Sequence, residues 1–342
     1  MNRPALIVLS LALVGCQTPQ APPPAKPVPL SSVFRLAKLE EIDSAIGQAI
    51  AAGKAPGAVV RIESGRAVYQ KTFGDKAAKP ERSPMTADTI FDAASLTKVI
   101  ATAPAIALLI EQGKLGLDDR VEKWIPDFKK NGKGAVTIRH LLTHTSGLRP
   151  GLSLRPEWSG VASAIEKAKA ESLTEQPDNK FIYSDINFIL LGEIIQQLTG
   201  QRLEDFTRES VFQPLGMKDT VYLPSPNLRY RTAPTKWWNG KMQRGTPNNP
   251  ICRRTGGVHG HAGMFTTAAD LARYCRMILN KGELDGFRFI QPETIRLMTS
   301  VQSPSEVESL RGLGWDIESS YSSQRGEIFP IGGFGHLSLI HI

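Results

Sequence analysis

Cysteine is scarce in this sequence: Cys16, Cys252 and Cys275 are the only three in 342 residues. The fold therefore cannot depend on a disulfide framework. Beyond Cys16, at most one disulfide is available, and spacing leaves open whether Cys252 and Cys275 form it. Long apolar runs are also few, and the clearest, Ala5 to Val14, is too short to cross a bilayer as a stable helix. Dense basic runs with interleaved aromatics are missing, although the formal net charge is +8 and the pI about 9.4. That argues against nucleic acid as a partner and for a mildly basic, solvated surface compatible with an anionic cell envelope. No G-x-S-x-G string occurs, which removes the nucleophile elbow of the α/β-hydrolases. His140 and His144 stand at i, i+4, but Leu141 occupies the place where H-E-x-x-H needs its glutamate. No metal site and no cofactor are expected.

What is present begins with the N-terminus. Arg3 precedes the short apolar run, which reads as an export signal over residues 1–15. The run ends in Leu13-Val14-Gly15-Cys16, a string that resembles the bacterial lipobox, in which cleavage before the cysteine leaves a residue that carries acyl chains. Residues 16–34 then form a proline-dense tether, extended at about 3.1 Å per residue. Its expected job is to hold the remaining domain, residues 35–336, away from a membrane reached through the lipid on Cys16. Gln17 lacks the aspartate character that retains such proteins at an inner membrane, so a periplasm-facing position at the outer membrane is expected. With 41% hydrophobic and 22% charged residues, the body can bury a substantial core as one large domain or two intimately packed ones.

Apolar spacing predicts a helix over Leu39 to Ala52, then a hairpin whose strands flank Ser64-Gly65. Helical segments follow near Ser95 to Gln112, Thr137 to Thr143, Val161 to Ala170, Ile186 to Thr199, Leu203 to Val211 and Ala268 to Asn280. The stretch from Leu223 to Gly263 is rich in Pro, Gly, Asn and Arg without periodicity, and reads as an irregular binding loop or connector.

The chemistry centres on Ser95-Leu96-Thr97-Lys98, which opens an apolar helix. Lys98 lies one turn on from Ser95, so hydroxyl and amine can share a proton. A serine hydroxyl needs a neighbouring base, and a lysine can serve if burial or positive potential lowers its pKa. The helix N-terminus adds some of that potential. An S-x-x-K string alone is common, and as such would be read as an N-cap beside a solvated lysine.

Its context carries more information. Thr89-Ile90-Phe91 precedes the serine, Gly113-Lys114-Leu115-Gly116-Leu117-Asp118-Asp119 follows its helix, and Thr137-Ile138-Arg139-His140-Leu141-Leu142-Thr143-His144-Thr145-Ser146-Gly147-Leu148 comes next. These landmarks resemble the family of class C β-lactamases, low-molecular-weight penicillin-binding proteins and related esterases, from about Leu39 to His336. The resemblance implies an α+β, β-lactamase/transpeptidase-like fold, an antiparallel sheet flanked by helices with an α-rich region beside it. It also implies an acyl-enzyme on Ser95, with Lys98 as base. Tyr183-Ser184-Asp185 resembles the second motif, Y-x-N, making Tyr183 the proton relay. Asp185 stands where the family has a neutral amide, a charge that can pair with Lys98 or steer substrate. A rival parse of Ser184-Asp185 as the start of S-D-N fails at Ile186. The glycine-rich segment from Gly256 to Thr267 resembles one that approaches the active site, which brings His261 into the substrate-binding set.

The third motif, K-T-G or H-x-G, would fall at His336, but the sequence reads Leu337-Ser338-Leu339-Ile340-His341-Ile342 instead. Residues 337–342 match the translated end of a transposase-based sequencing adapter, so a natural continuation with further strands is expected. The substrates implied are small acyl amides or esters, or a peptidoglycan-derived D-alanyl peptide. An esterase or β-lactamase of the same family, and a non-catalytic envelope-binding homologue, are the rival readings.

Overall fold

The computed structural model describes residues 28–238, 240–322, 333–336 and 338. The expected export signal, Cys16 and the first part of the expected tether lie outside them, as does most of the segment 337–342.

Helix α1 (Leu36–Ala51) leads to the antiparallel strands β1 (Gly57–Ser64) and β2 (Ala67–Ala77), joined by a tight turn in which Gly65 has φ 56°. Ser64 pairs with Ala67 and Gly57 with Gly74, and the short β3 (Ser83–Pro84) adds to the far edge of β2. After β4 (Phe91–Asp92), the chain enters α2 (Ala103–Glu111) through a π-type turn at Lys98–Thr102. Three further helices follow, α3 (Ile138–Thr143), α4 (Val161–Ala170) and α5 (Asp185–Thr199), then the short α6 (Leu203–Thr207). The expected helices are therefore present, and the fold is α+β. Its strands form several small antiparallel sheets among the described residues.

The Leu223 to Gly263 stretch holds more structure than its composition announces. Beyond β5 (Val221–Tyr222) it contains α7 (Pro226–Arg229), the hairpin β6 (Pro234–Trp238) and β7 (Lys241–Arg244), and α8 (Pro250–Arg254). Strand β8 (Met264–Thr266) then sits between β4 and β5, and α9 (Ala268–Leu279) follows. Cys252 is buried and Cys275 exposed, and both are free thiols.

The core is built where α2 and α5 meet. Ile106, Leu109, Ile189, Leu190 and Ile194 are all fully buried in one contiguous cluster, each contributing about 1.5–3 kcal/mol relative to exposure. Close approach on the other side of α5 depends on glycine. A Cβ on Gly260 would lie 2.2 Å from the Phe188 carbonyl and 3.0 Å from the Gly192 amide nitrogen. Only a bare backbone lets the 259–261 segment lie this close to α5, and that fixes where the His261 carbonyl points.

One buried cation serves the fold rather than the site. Lys133, 1% exposed, donates from Nζ to the carbonyls of Lys130 at 2.7 Å and Lys169 at 3.0 Å, and to that of Glu171. The last two carbonyls belong to the C-terminal end of α4, where backbone acceptors lack helical partners. Lys133→Met keeps the length but removes all three donors. It should lower stability by about 1–3 kcal/mol in urea unfolding while leaving activity per folded molecule unchanged. An unshifted midpoint would show that water replaces the ammonium at no cost.

Candidate active site

Ser95 sits immediately after a strained residue, because Ala94 adopts φ 42°, a left-handed conformation that costs a non-glycine residue energy. A buried carboxylate holds it there. Asp92 is 5% exposed, and its Oδ1 accepts the Ala94 N–H at 2.9 Å while Oδ2 accepts the Asn248 N–H at 2.7 Å. Burial pushes the Asp92 pKa up, and the two amides and Arg253 only partly oppose this. Thr97 adds a second tie: its hydroxyl donates to the Ala94 carbonyl at 2.6 Å and accepts the Met264 N–H at 3.2 Å. The serine is thus pinned between β4, β8 and the loop before α8.

Lys98 is fully buried and makes three contacts from one ammonium. Nζ donates to Ser95 Oγ at 3.1 Å, to the His261 carbonyl at 3.0 Å and to Asp185 Oδ1 at 2.8 Å. It also lies 5.0 Å from the centre of the Tyr183 ring and 5.8 Å from that of Phe188. Burial pulls its pKa down, but Asp185, helped by Tyr183, more than reverses this, and the net shift is upward. The condition for a lysine base, a lowered pKa, is therefore not met at rest: the carboxylate beside it, the pairing open from sequence, outweighs desolvation and the helix terminus. For Asp185, burial pushes the pKa up, yet Lys98 and His261 bring it below the ordinary carboxylate range. The resting state is an ion pair, with the lysine charged.

The structure brings Ser95, Lys98, Asp185 and Tyr183 together and places His336 beside them, with the Tyr183 and His336 rings 6.2 Å apart. Gly335, just before it, pairs with Asp316, and Ser338 Oγ accepts the Ser95 N–H at 3.2 Å. This short segment therefore runs past the serine amide, the donor an oxyanion would use. His261 reaches the centre through its carbonyl. Its ring is fully buried, Nε2 meets Asn249 Oδ1 at 3.1 Å, and burial holds its pKa at about 4. Cys16 lies outside the described residues.

Asn249 was not singled out from sequence, and His144, read there as structural or substrate-adjacent, supports the site from behind Tyr183. Asn249 donates from Nδ2 to Asp185 Oδ2 at 3.2 Å, and its Oδ1 caps α8 through the Cys252 N–H at 3.0 Å. His144 supports Tyr183 with its ring centroid at 4.5 Å. Its Nδ1 accepts from the Ser184 N–H at 3.1 Å and Asn187 Nδ2 at 3.2 Å. Burial, with Arg311 and Lys98 nearby, keeps it neutral. The histidine lay within a landmark motif, but its contact with Tyr183, thirty-nine residues on, has no local signature.

A serine hydroxyl held by a buried lysine one turn away, with a phenol and a carboxylate around that lysine, is the apparatus of a serine hydrolase working through an acyl-enzyme. Residues 42–340 match the family described as Beta-lactamase, and the chain belongs to that family. A relative from Escherichia coli (strain K12) named "Putative D-alanyl-D-alanine carboxypeptidase" is 30% identical, covering 92% of this chain and 80% of its own length. An "N-acetylmuramyl-L-alanine amidase" from Bacillus subtilis (strain 168) is 31% identical over 85% of this chain and 73% of its own. Among solved structures, a class C beta-lactamase matches with TM-score 0.69 at 22% identity, covering 83% of this chain and 76% of that one. The octameric penicillin-binding protein homologue from Pyrococcus abyssi matches with TM-score 0.65 at 28% identity, over 82% and 65%.

Proposed function

We propose that this β-lactamase-family serine hydrolase cleaves a D-alanyl amide or a related ester of an envelope peptide, as a lipoprotein tethered through Cys16 at the periplasmic face of the outer membrane. The observation that carries the catalytic part is the fully buried Lys98 Nζ, 3.1 Å from Ser95 Oγ and 2.8 Å from Asp185 Oδ1. Ser95 Oγ attacks the substrate carbonyl and its proton passes to Lys98, once that lysine has released its own to the Asp185 carboxylate. The backbone amide of Ser95 holds the oxyanion. Collapse of the tetrahedral species breaks the carbonyl–nitrogen or carbonyl–oxygen bond, and Tyr183 delivers the proton to the leaving group. Water then attacks the Ser95 ester, releasing the acid and restoring the hydroxyl. The E. coli and B. subtilis relatives, named for D-alanyl and muramyl-alanine bonds, support an envelope peptide as substrate.

Intact mass after exposure to benzylpenicillin tests this reading. A one-to-one adduct should form on the wild-type protein and be missing from Ser95→Ala, and it should persist, because Asp185 brings a charge where the family presents a neutral amide. No adduct on folded protein would move the reading to an esterase that excludes β-lactams.

A further inference from the structure

One stretch of this chain is cationic and also rich in exposed aromatics. From Thr220 to Ala269 there is no Asp or Glu, while Arg229, Arg231, Lys236, Lys241, Arg244, Arg253 and Arg254 fall within it. Among the described residues Arg231 alone of the seven forms ion pairs, with Asp88 and Asp219. The same segment exposes three large aromatics, with Tyr230 68%, Trp237 54% and Trp238 50% accessible. Such residues are seldom left in water without use. Trp238 has Lys236 Nζ 4.6 Å and Arg253 Cζ 5.3 Å from its ring centre, so its surroundings are cationic too.

These side chains shape a groove. A hollow of about 610 Å³ lies between the β6–β7 hairpin and the Pro80–Ser83 turn, lined by Tyr230, Trp237, Lys241, Arg244 and Arg82, with Glu81 the one acid. Arg82 is paired to Asp75 at 2.6 Å and Arg244 donates to the Thr232 carbonyl, which leaves Lys241 without a partner among the described residues. The same hairpin also reaches the neighbourhood of the catalytic serine. Ala233, Pro234 and Thr235, where β6 begins, line a second cavity of about 410 Å³ with Asp92, Ala93 and Leu96. The same segment supplies Asn248 to Asp92 and Asn249 to Asp185.

We propose that this cationic, aromatic groove docks the saccharide portion of a carboxylate-bearing glycopeptide polymer while its peptide reaches Ser95, an inference that rests on the envelope-peptide reading above. Indole and phenol faces cover the C–H faces of sugar rings, and the lysine and arginines meet the carboxylates, an arrangement suited to a charged chain. A lipid surface is the weaker match, because Tyr230 and Trp237 line a hollow with the opposite wall at Pro80–Ser83, whereas interfacial anchoring needs a protruding apolar face.

Co-sedimentation of the full chain with isolated bacterial sacculi tests the groove, alongside hydrolysis of a small soluble ester. Wild-type protein should sediment at low salt and be released at high salt. Trp237→Ala and the pair Lys236→Glu with Lys241→Glu should each reduce binding about tenfold, with ester hydrolysis within about twofold of wild type. That unchanged rate also shows that the variants are folded. Unreduced sedimentation of both variants overturns the proposal, as does capture by phosphatidylglycerol vesicles in place of sacculi. Sacculus binding that depends on Trp237, in a protein inert toward every ester and D-alanyl peptide, supports the groove and overturns the hydrolase reading instead.

Discussion

Lys98→Met should abolish turnover, with kcat/KM falling about a thousandfold or more on any substrate that acylates Ser95. Methionine fills nearly the same buried volume but can neither receive the Ser95 proton nor donate to the His261 carbonyl. The stability cost should be smaller than for a fully enclosed ion pair. Asp185 has 20% of its side chain accessible, keeps the hydrogen bond from Asn249, and can take up a proton once its cation is gone. A loss of no more than about 3 kcal/mol is expected. Adding Asp185→Asn to Lys98→Met should recover most of that stability and none of the activity, which separates the structural worth of the pair from its chemistry. Turnover in Lys98→Met within tenfold of wild type would exclude the lysine from the proton path.

Asp185→Asn alone should move the pH dependence. In the wild type the carboxylate raises the Lys98 pKa against the pull of burial, so neutral lysine, the form able to accept a proton, is scarce near neutrality and activity should climb toward alkaline pH. Asparagine removes the opposing charge and leaves desolvation to act. The rising limb of kcat/KM should shift at least about one unit toward acid, raising the rate at neutral pH about tenfold where the base is limiting. An unmoved limb would mean that Lys98 works as an ammonium and that Tyr183 alone handles the proton. Stability follows the same pair. The depressed Asp185 contributes stability present above about 3.9, its unfolded value, and loses it as pH falls through the lower folded value. The raised Lys98 contributes below about 10.4 and loses it as pH rises through the higher folded value. Between those limits the pair's contribution is constant in the wild type and missing from Asp185→Asn.

Much of this arrangement could be read from sequence because its signals are local. The Ser95-x-x-Lys98 spacing, the Tyr183-Ser184-Asp185 departure and the amphipathic runs each lie within a few turns of chain. What escaped reading depends on contacts between distant segments. Asp92 holds the Ala94 amide locally, but its second oxygen is tied to Asn248, more than a hundred and fifty residues away. The direction of the Lys98 pKa is likewise the balance between burial and a carboxylate brought in on α5. The β6–β7 hairpin was missed for another reason: Thr235-Lys236-Trp237-Trp238 lies among prolines and glycines with no apolar alternation, because neither face of it is wholly buried.

The π-type turn between Lys98 and Thr102 gives the nucleophile's helix two phases. Where it occurs, the Ala103 N–H reaches back to the Lys98 carbonyl, so one residue more than an α-helical turn separates catalytic pair from core stripe. At about 100° per residue, the Ser95–Lys98 edge is rotated by that amount from where the apolar stripe of α2, continued backward, would place it. A helical wheel drawn through the whole segment superposes faces that are apart in space. An insertion or deletion within those five residues would change the aim of the hydroxyl while leaving the buried stripe in register, so the chain's length here is under tighter constraint than its composition.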